Sequence, residues 1–260
     1  MPFLDFSVKW FKFALQSPVD MLEKTTGIVL HNVKYAESSS VLTVYTRLHG
    51  RCSYMVYGVG KKKSVVKPAF LQALSILEMN VSHQPGKEIQ QIKDIRIAPC
   101  SNGLSPDPVK NALALFIAEL LYKSLKRPGA DEQLYDFLEH AVQMLEEMEY
   151  GLANFHLIFM CKLSKFLGFA PTREDAGEVY FDLMNGVFLK TRPLHSHFLN
   201  IADTAIFTRV LHAGFENMHE LQLSRSDRQK TLNDLIEFYK LHLPEFHGLN
   251  ATAVLQELFD

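Results

Sequence analysis

The residues best suited to chemistry lie between Tyr54 and Lys67, in the run Tyr-Met-Val-Tyr-Gly-Val-Gly-Lys-Lys-Lys-Ser-Val-Val-Lys. Aromatic and β-branched residues lead to Gly58 and Gly60. Three consecutive lysines follow, Lys61, Lys62 and Lys63, with Lys67 close behind. Adjacent ammonium groups repel one another, so grouping them does nothing for folding. A partner with regularly spaced negative charges does gain from it, and a nucleic-acid backbone is the obvious one. Lys34, Arg47 and Arg51 add cations at strand ends or loops, and Tyr35, Tyr45, Tyr54 and Tyr57 are interleaved with them. Cations that hold phosphates, beside rings on which bases stack, are the parts a single-strand binder needs. The site read from the sequence is therefore Lys61, Lys62, Lys63, Lys67, Lys34, Arg47 and Arg51 for phosphates, with Tyr35, Tyr54 and Tyr57 as candidates for stacking. The competing readings are a solvated lysine loop and tyrosines that pack in a core or across strands. No base-reading pattern accompanies these residues, which favours sequence-independent binding.

Other chemistries find no support. None of the eleven histidines, including the pair His195 and His197, has helical i, i+4 spacing with a carboxylate in a metalloenzyme pattern. There is no phosphate-cradling glycine motif, nucleophile elbow or paired-carboxylate signature, and Gly58-Val59-Gly60 lacks the Walker spacing. The expectation is a protein that is not an enzyme and takes no small-molecule substrate. Three cysteines, Cys52, Cys100 and Cys161, are too far apart for metal-ligand spacing and do not suggest a disulfide framework. Reduced thiols and a cytoplasmic, nucleoid-associated location are expected. No uncharged apolar run approaches the roughly 18 residues of a membrane span.

The elements that must position these residues fall into two parts. The net charge of −2 hides an asymmetry: residues 21–100 carry eleven Lys and Arg against five Asp and Glu, and residues 101–260 carry fourteen against twenty-two. A basic front and an acidic back suggest two domains with different partners. In the front part, apolar and polar residues alternate with the period of half-buried strands at Thr25 to Val33, Ser40 to Leu48, Cys52 to Tyr57, Phe70 to Met79 and Glu88 to Ile97. Gly50 suits a tight hairpin turn. Five short strands in this length fit a five-stranded oligonucleotide-binding (OB) barrel, although an SH3-like barrel or an open sheet fits the periodicity too. Pro99 to Pro108 reads as a linker. Behind it the period becomes helical: a first helix capped by Ser105 with Pro106 at its first position, a second around Leu134 to Leu145, and a third from Phe155 to Leu167 ended by Gly168. Val179 to Leu189 interrupts with a small hairpin around Asn185-Gly186. Helices resume at Ile201 to His212, Arg225 to Leu241 and Thr252 to Phe259. The class is α+β: an N-terminal extension over 1–20, a barrel over 21–100, and a helical domain with a β-hairpin insertion over 101–260. The extension holds five aromatic residues, Phe3, Phe6, Trp10, Phe11 and Phe13, but lacks the continuous apolar core of a secretory signal.

The order of these parts resembles the RecO family of bacterial recombination mediators. The matching pieces are Gly27-Ile28-Val29-Leu30 with Tyr35-Ala36-Glu37-Ser38, Val44-Tyr45-Thr46 leading to Gly50, and Gly58-Val59-Gly60-Lys61-Lys62-Lys63-Ser64. Later come Leu167-Gly168-Phe169-Ala170-Pro171, Tyr180-Phe181-Asp182 and Gly186. The tail Phe238 to Pro244 is similar to members from Bacteroides-type bacteria. The resemblance implies an OB barrel followed by a helical domain. It also implies non-specific single-stranded DNA binding, annealing of complementary strands, and loading of recombinase with RecR onto DNA coated with single-strand-binding protein. The DNA role carries over to Lys61, Lys62 and Lys63. The C-terminal tail of single-strand-binding protein would dock on the helical domain, where Lys123, Lys126, Arg127, Lys162 and Lys165 are available cations. A protein-interaction adaptor and an RNA-binding OB protein without DNA activity are the alternatives. Many members hold zinc with four cysteines around the hairpin. Those positions carry no cysteine here, so no structural zinc is expected, and Val179, Phe181, Val187 and Phe188 must hold the hairpin by apolar packing.

Overall fold

The computed structural model describes residues 22–61, 66–84, 86–101, 107–126, 128–172, 177 and 179–258. Five strands, β1 (Leu22–Ala36), β2 (Ser39–Thr46), β3 (Gly50–Tyr57), β4 (Ile76–Ser82) and β5 (Ile89–Ile97), close into a barrel in the order β1-β2-β3-β5-β4. All neighbouring pairs are antiparallel except β3 with β5, which run parallel. The five-stranded barrel read from the sequence is present, and closure removes most of the exposed sheet edge.

Successive side chains on a strand point to opposite faces, and here both faces are used. Val29, Leu42, Val44, Tyr54, Val56, Leu77 and Met79 fill the barrel interior. Their neighbours Ile28, Leu30, Tyr45 and Ile76 point outward into a larger core shared with the helices. The barrel thus rests on the helical region along one side and shows solvent elsewhere. Gly50 has φ 65°, and a Cβ there would meet the carbonyl oxygen of Gly129 at 2.0 Å, so only glycine permits both the turn and this close approach.

One strand starts later than its periodicity predicts. Instead of a strand from Phe70 to Met79, Pro68–Leu71 forms a 3-10 turn, Leu74 takes a left-handed φ of 61°, and β4 begins at Ile76. Pro68 fixes its own φ and lacks an N–H for a ladder. The turn sends Leu71 into the barrel interior and Leu74 into the shared core, so the alternating pattern records a plug between two cores.

The helices are α1 (Pro108–Ser124), α2 (Glu132–Glu147), α3 (Phe155–Leu167), α4 (Ile201–His212), α5 (Arg225–His242) and α6 (Thr252–Leu258). Ser105 and Pro106 lie outside the described residues, and the N-cap is instead Asp107, which accepts from the amides of Val109 (2.8 Å) and Lys110 (3.5 Å), with Pro108 at the first position. A carboxylate at the positive helix end satisfies both the open amides and the dipole. The expected hairpin pairs β6 (Tyr180–Asp182) with β7 (Val187–Leu189), and it gains a third strand, β8 (Phe198–Leu199), on the other side of β6. A two-residue strand is too short for periodicity to reveal.

Phe181 anchors this small sheet, with its ring 4.7–5.7 Å from those of Phe188, Phe207 and Phe238. Beside it the buried Asp182 accepts hydrogen bonds from the Met184 and Asn185 amides (2.8 and 3.1 Å) and the Asn185 side chain (2.7 Å), and lies 3.2 Å from His195 Nε2. Burial alone would raise its pKa, but these donors outweigh it and hold the carboxyl below its ordinary value. Val179 and Val187 are only half-buried, so the two phenylalanines carry most of the packing.

Candidate nucleic-acid interface

The barrel has two ends, and the cations read from the sequence divide between them. Register places Lys34 opposite Ser40 and Ser40 opposite Val56; one step further, Ala36 faces Ser39 and Ser39 faces Tyr57. The end of β1, the start of β2 and the end of β3 therefore meet at one tip. The chain leaves β3 through Gly58 (φ 77°) and Gly60 (φ 72°), left-handed conformations that side chains resist. The Val59 amide donates to the Ser38 carbonyl (3.1 Å), which ties this turn to the β1–β2 hairpin.

Lys34, Lys61 and Lys67 are exposed, and none of them pairs with a carboxylate among the described residues. Tyr35 and Tyr57 stand beside them with 72% and 65% of their surface open, far more than packed tyrosines show. Glu37 is the acidic residue of the hairpin tip. Lys62 and Lys63 lie outside the described residues. Three cations and two open rings at one tip match the requirements of charge and stacking.

Four of the cations and tyrosines read from the sequence are elsewhere. Tyr54 is fully buried inside the barrel and cannot meet a base; Tyr45 is buried in the shared core. Burial pushes both hydroxyls up, that of Tyr45 to about 12. Arg47, at the opposite end of β2, is engaged by the helices. Its guanidinium lies 2.7 Å from Asp136, 3.5 Å from Glu132 and 3.3 Å from Glu139, and 4.3 Å over the Tyr135 ring. Arg47 thus sits at the junction with the helices, and a phosphate would have to displace three carboxylates to reach it. Arg51 is also at this far end. Its Nη1 donates to the carbonyls of Tyr122 and Leu125 (both 2.9 Å), and the group stacks 4.5 Å over Tyr122. Of the other barrel cations, Lys24 and Arg96 share Glu78, and Lys93 donates to Gln91.

Residues 21–99 match the family described as Recombination protein O N terminal, and residues 105–249 match Recombination protein O C terminal. This chain belongs to the RecO family. Proteins named DNA repair protein RecO from Phocaeicola vulgatus and Bacteroides fragilis are each 37% identical to it, and one from Porphyromonas gingivalis is 34% identical. Each match covers 92% of this chain and the whole of the relative. The family is one of DNA repair and recombination, whose members mediate and do not catalyse. For many RecO members the resemblance implied zinc. Cys52, Cys100 and Cys161 are separate free thiols, and the described residues hold no cluster of three or more His, Cys, Asp or Glu fit for a metal. The residues present do not fit a four-thiolate site, and nothing in the function below runs through a metal. Among the described residues no helix is long and apolar enough to cross a membrane.

Lys87, between β4 and β5, is a further exposed cation of the barrel that the sequence reading did not single out.

Proposed function

We propose that this chain binds single-stranded DNA through the barrel tip without reading bases, anneals complementary strands, and with RecR helps load recombinase onto DNA coated with single-strand-binding protein, whose C-terminal tail docks on the helical region. The observation that supports this is the tip itself in a RecO family member: Lys34, Lys61 and Lys67 without carboxylate partners among the described residues, next to the open rings of Tyr35 and Tyr57. Lys62 and Lys63 are proposed to extend the same cationic turn. Annealing is opposed by phosphate repulsion between the two strands. A cationic tip lowers that barrier by displacing condensed counterions, while the exposed tyrosines take unstacked bases on their faces. Neither contact discriminates among bases, so any complementary pair is served.

Filter binding at two salt concentrations tests this with single-stranded DNA, double-stranded DNA and RNA, followed by annealing of DNA precoated with cognate single-strand-binding protein. The expected result is preference for single-stranded DNA, affinity that falls with salt, and annealing of the coated strands. Strong preference for RNA, or no binding to any of the three, would replace this reading with an RNA-binding barrel or a protein adaptor.

A further inference from the structure

Where the barrel meets the helices, the apolar surface stays open on one side. A groove of about 980 Å³ runs between β1, α1 and α6. Leu30 and Leu71 of the barrel, with Ala114 and Ala118 of α1, are buried beneath it. Leu115 and Val254 stand at its rim with 56% and 45% of their surface exposed. The rings of His31 and Tyr122, 4.5 Å apart, also line it. Apolar side chains gathered around a groove and left open mark a place where something packs.

The charges of the groove are already matched. Lys123 Nζ lies 2.7 Å from Glu119 and donates to the Gly248 carbonyl (2.8 Å), and Glu119 accepts from the amides of Asn250 and Ala251 (2.9 and 2.8 Å). A charged ligand would have to break this set, whereas an apolar occupant with no net charge leaves it intact.

The first twenty residues have that character. They carry two lysines and two aspartates, and they precede the family match, which begins at residue 21. Phe3, Phe6, Trp10 and Phe13 recur at intervals of three, four and three, the period that lines up one face of a helix, and Asp5, Lys9 and Lys12 fall outside that stripe. The described chain starts at Leu22, seven residues along β1 from Val29 at the groove, about 23 Å at the rise of a strand. The nine steps from Phe13 to Leu22 span about 30 Å when extended, enough to bring the stripe back to the groove.

We propose that the aromatic stripe of residues 1–20 packs into this groove of its own chain. It covers Leu115 and Val254 and pins the barrel to α1 and α6 beside the plug that separates the two cores. This packing does not depend on the DNA-binding reading above.

Trp10 is the sole tryptophan, so its fluorescence in the full chain reports the stripe directly. In dilute native protein its emission should lie to the blue of that in urea and be protected from acrylamide quenching. Leu115→Lys and Val254→Lys change exposed positions, so the fold survives them; each should shift the emission to the red and remove the protection. Leu194→Lys, at a fully exposed leucine outside the groove, should leave both unchanged. Native emission that already matches the unfolded chain overturns the proposal. So does a protected Trp10 that ignores both groove variants, or one that loses protection equally in Leu194→Lys, because the stripe then packs elsewhere. Protection that disappears on dilution would place the stripe on a second copy and overturns packing within one chain.

Discussion

The two ends of the barrel are built from similar residues and surround them differently. At the end facing the helices, Arg47 is satisfied by Glu132, Asp136 and Glu139, and Arg51 caps α1. At the tip, Lys34, Lys61 and Lys67 face solvent without carboxylate partners among the described residues. Tyrosine divides in the same way: Tyr54 is core, and three residues later Tyr57 is open. Whether a cation or a ring is available to a ligand therefore depends on what the fold has already placed against it, not on residue type. An intramolecular partner removes a group from function; its absence leaves a group that a polyanion can use.

This contrast can be broken by substitution. The largest expected effect is on Tyr54→Ala, which empties the barrel interior and should lower unfolding free energy by about 3–5 kcal/mol, measured by urea denaturation. Tyr57→Ala should leave that curve unchanged. If Tyr54→Ala instead costs nothing in stability, Tyr54 is not core.

Next is Arg47→Ala, which strands three carboxylates at the junction. Because the group is partly exposed and screened, the loss should be about 2 kcal/mol of stability. The salt slope of DNA binding should not move. A flattened slope with intact stability would return Arg47 to the interface.

Acid separates the helical side from the tip at a similar scale. Burial, with a smaller contribution from Arg228, depresses the pKa of His156 from 6.5 to about 3. The folded chain thus holds this imidazole neutral where the unfolded chain protonates it, and stability falls as pH drops below about 6.5. The decline reaches about 2 kcal/mol near pH 5. DNA affinity of the molecules still folded should hold. His156→Phe should flatten the pH dependence of stability; an unchanged profile would place the acid sensitivity elsewhere. The smallest effect expected is on binding: Tyr57→Ala and Tyr35→Ala should each weaken single-stranded DNA binding by about 1 kcal/mol, the low end of one base stack. Equal affinity for both variants and the parent chain would make these rings bystanders.

How much of this could be read from the sequence follows from what local patterns encode. The period-2 segments gave all five barrel strands, and the helices Phe155–Leu167 and Ile201–His212 end where their caps and apolar periods do. The plug at Pro68–Leu71 escaped because its alternating side chains enter two different cores. For the site, the lysine turn announces itself by composition, since nothing local neutralises it. Arg47, Arg51 and Tyr54 do not, because their partners are 70 or more residues away or across the barrel. Tyr54 shares strand parity with Val56 and pairs with Leu42, both interior, so parity hinted at its burial. Nothing local says which parity faces in.

The central claim is that the cationic turn after β3 meets a polyanion. Its most direct test is the salt dependence of single-stranded DNA affinity for the parent chain and for Lys61→Ala/Lys62→Ala/Lys63→Ala. Three lost phosphate contacts should flatten the slope of log affinity on log salt by about two units. A slope equal to that of the parent chain would contradict the claim and leave the turn a solvated surface.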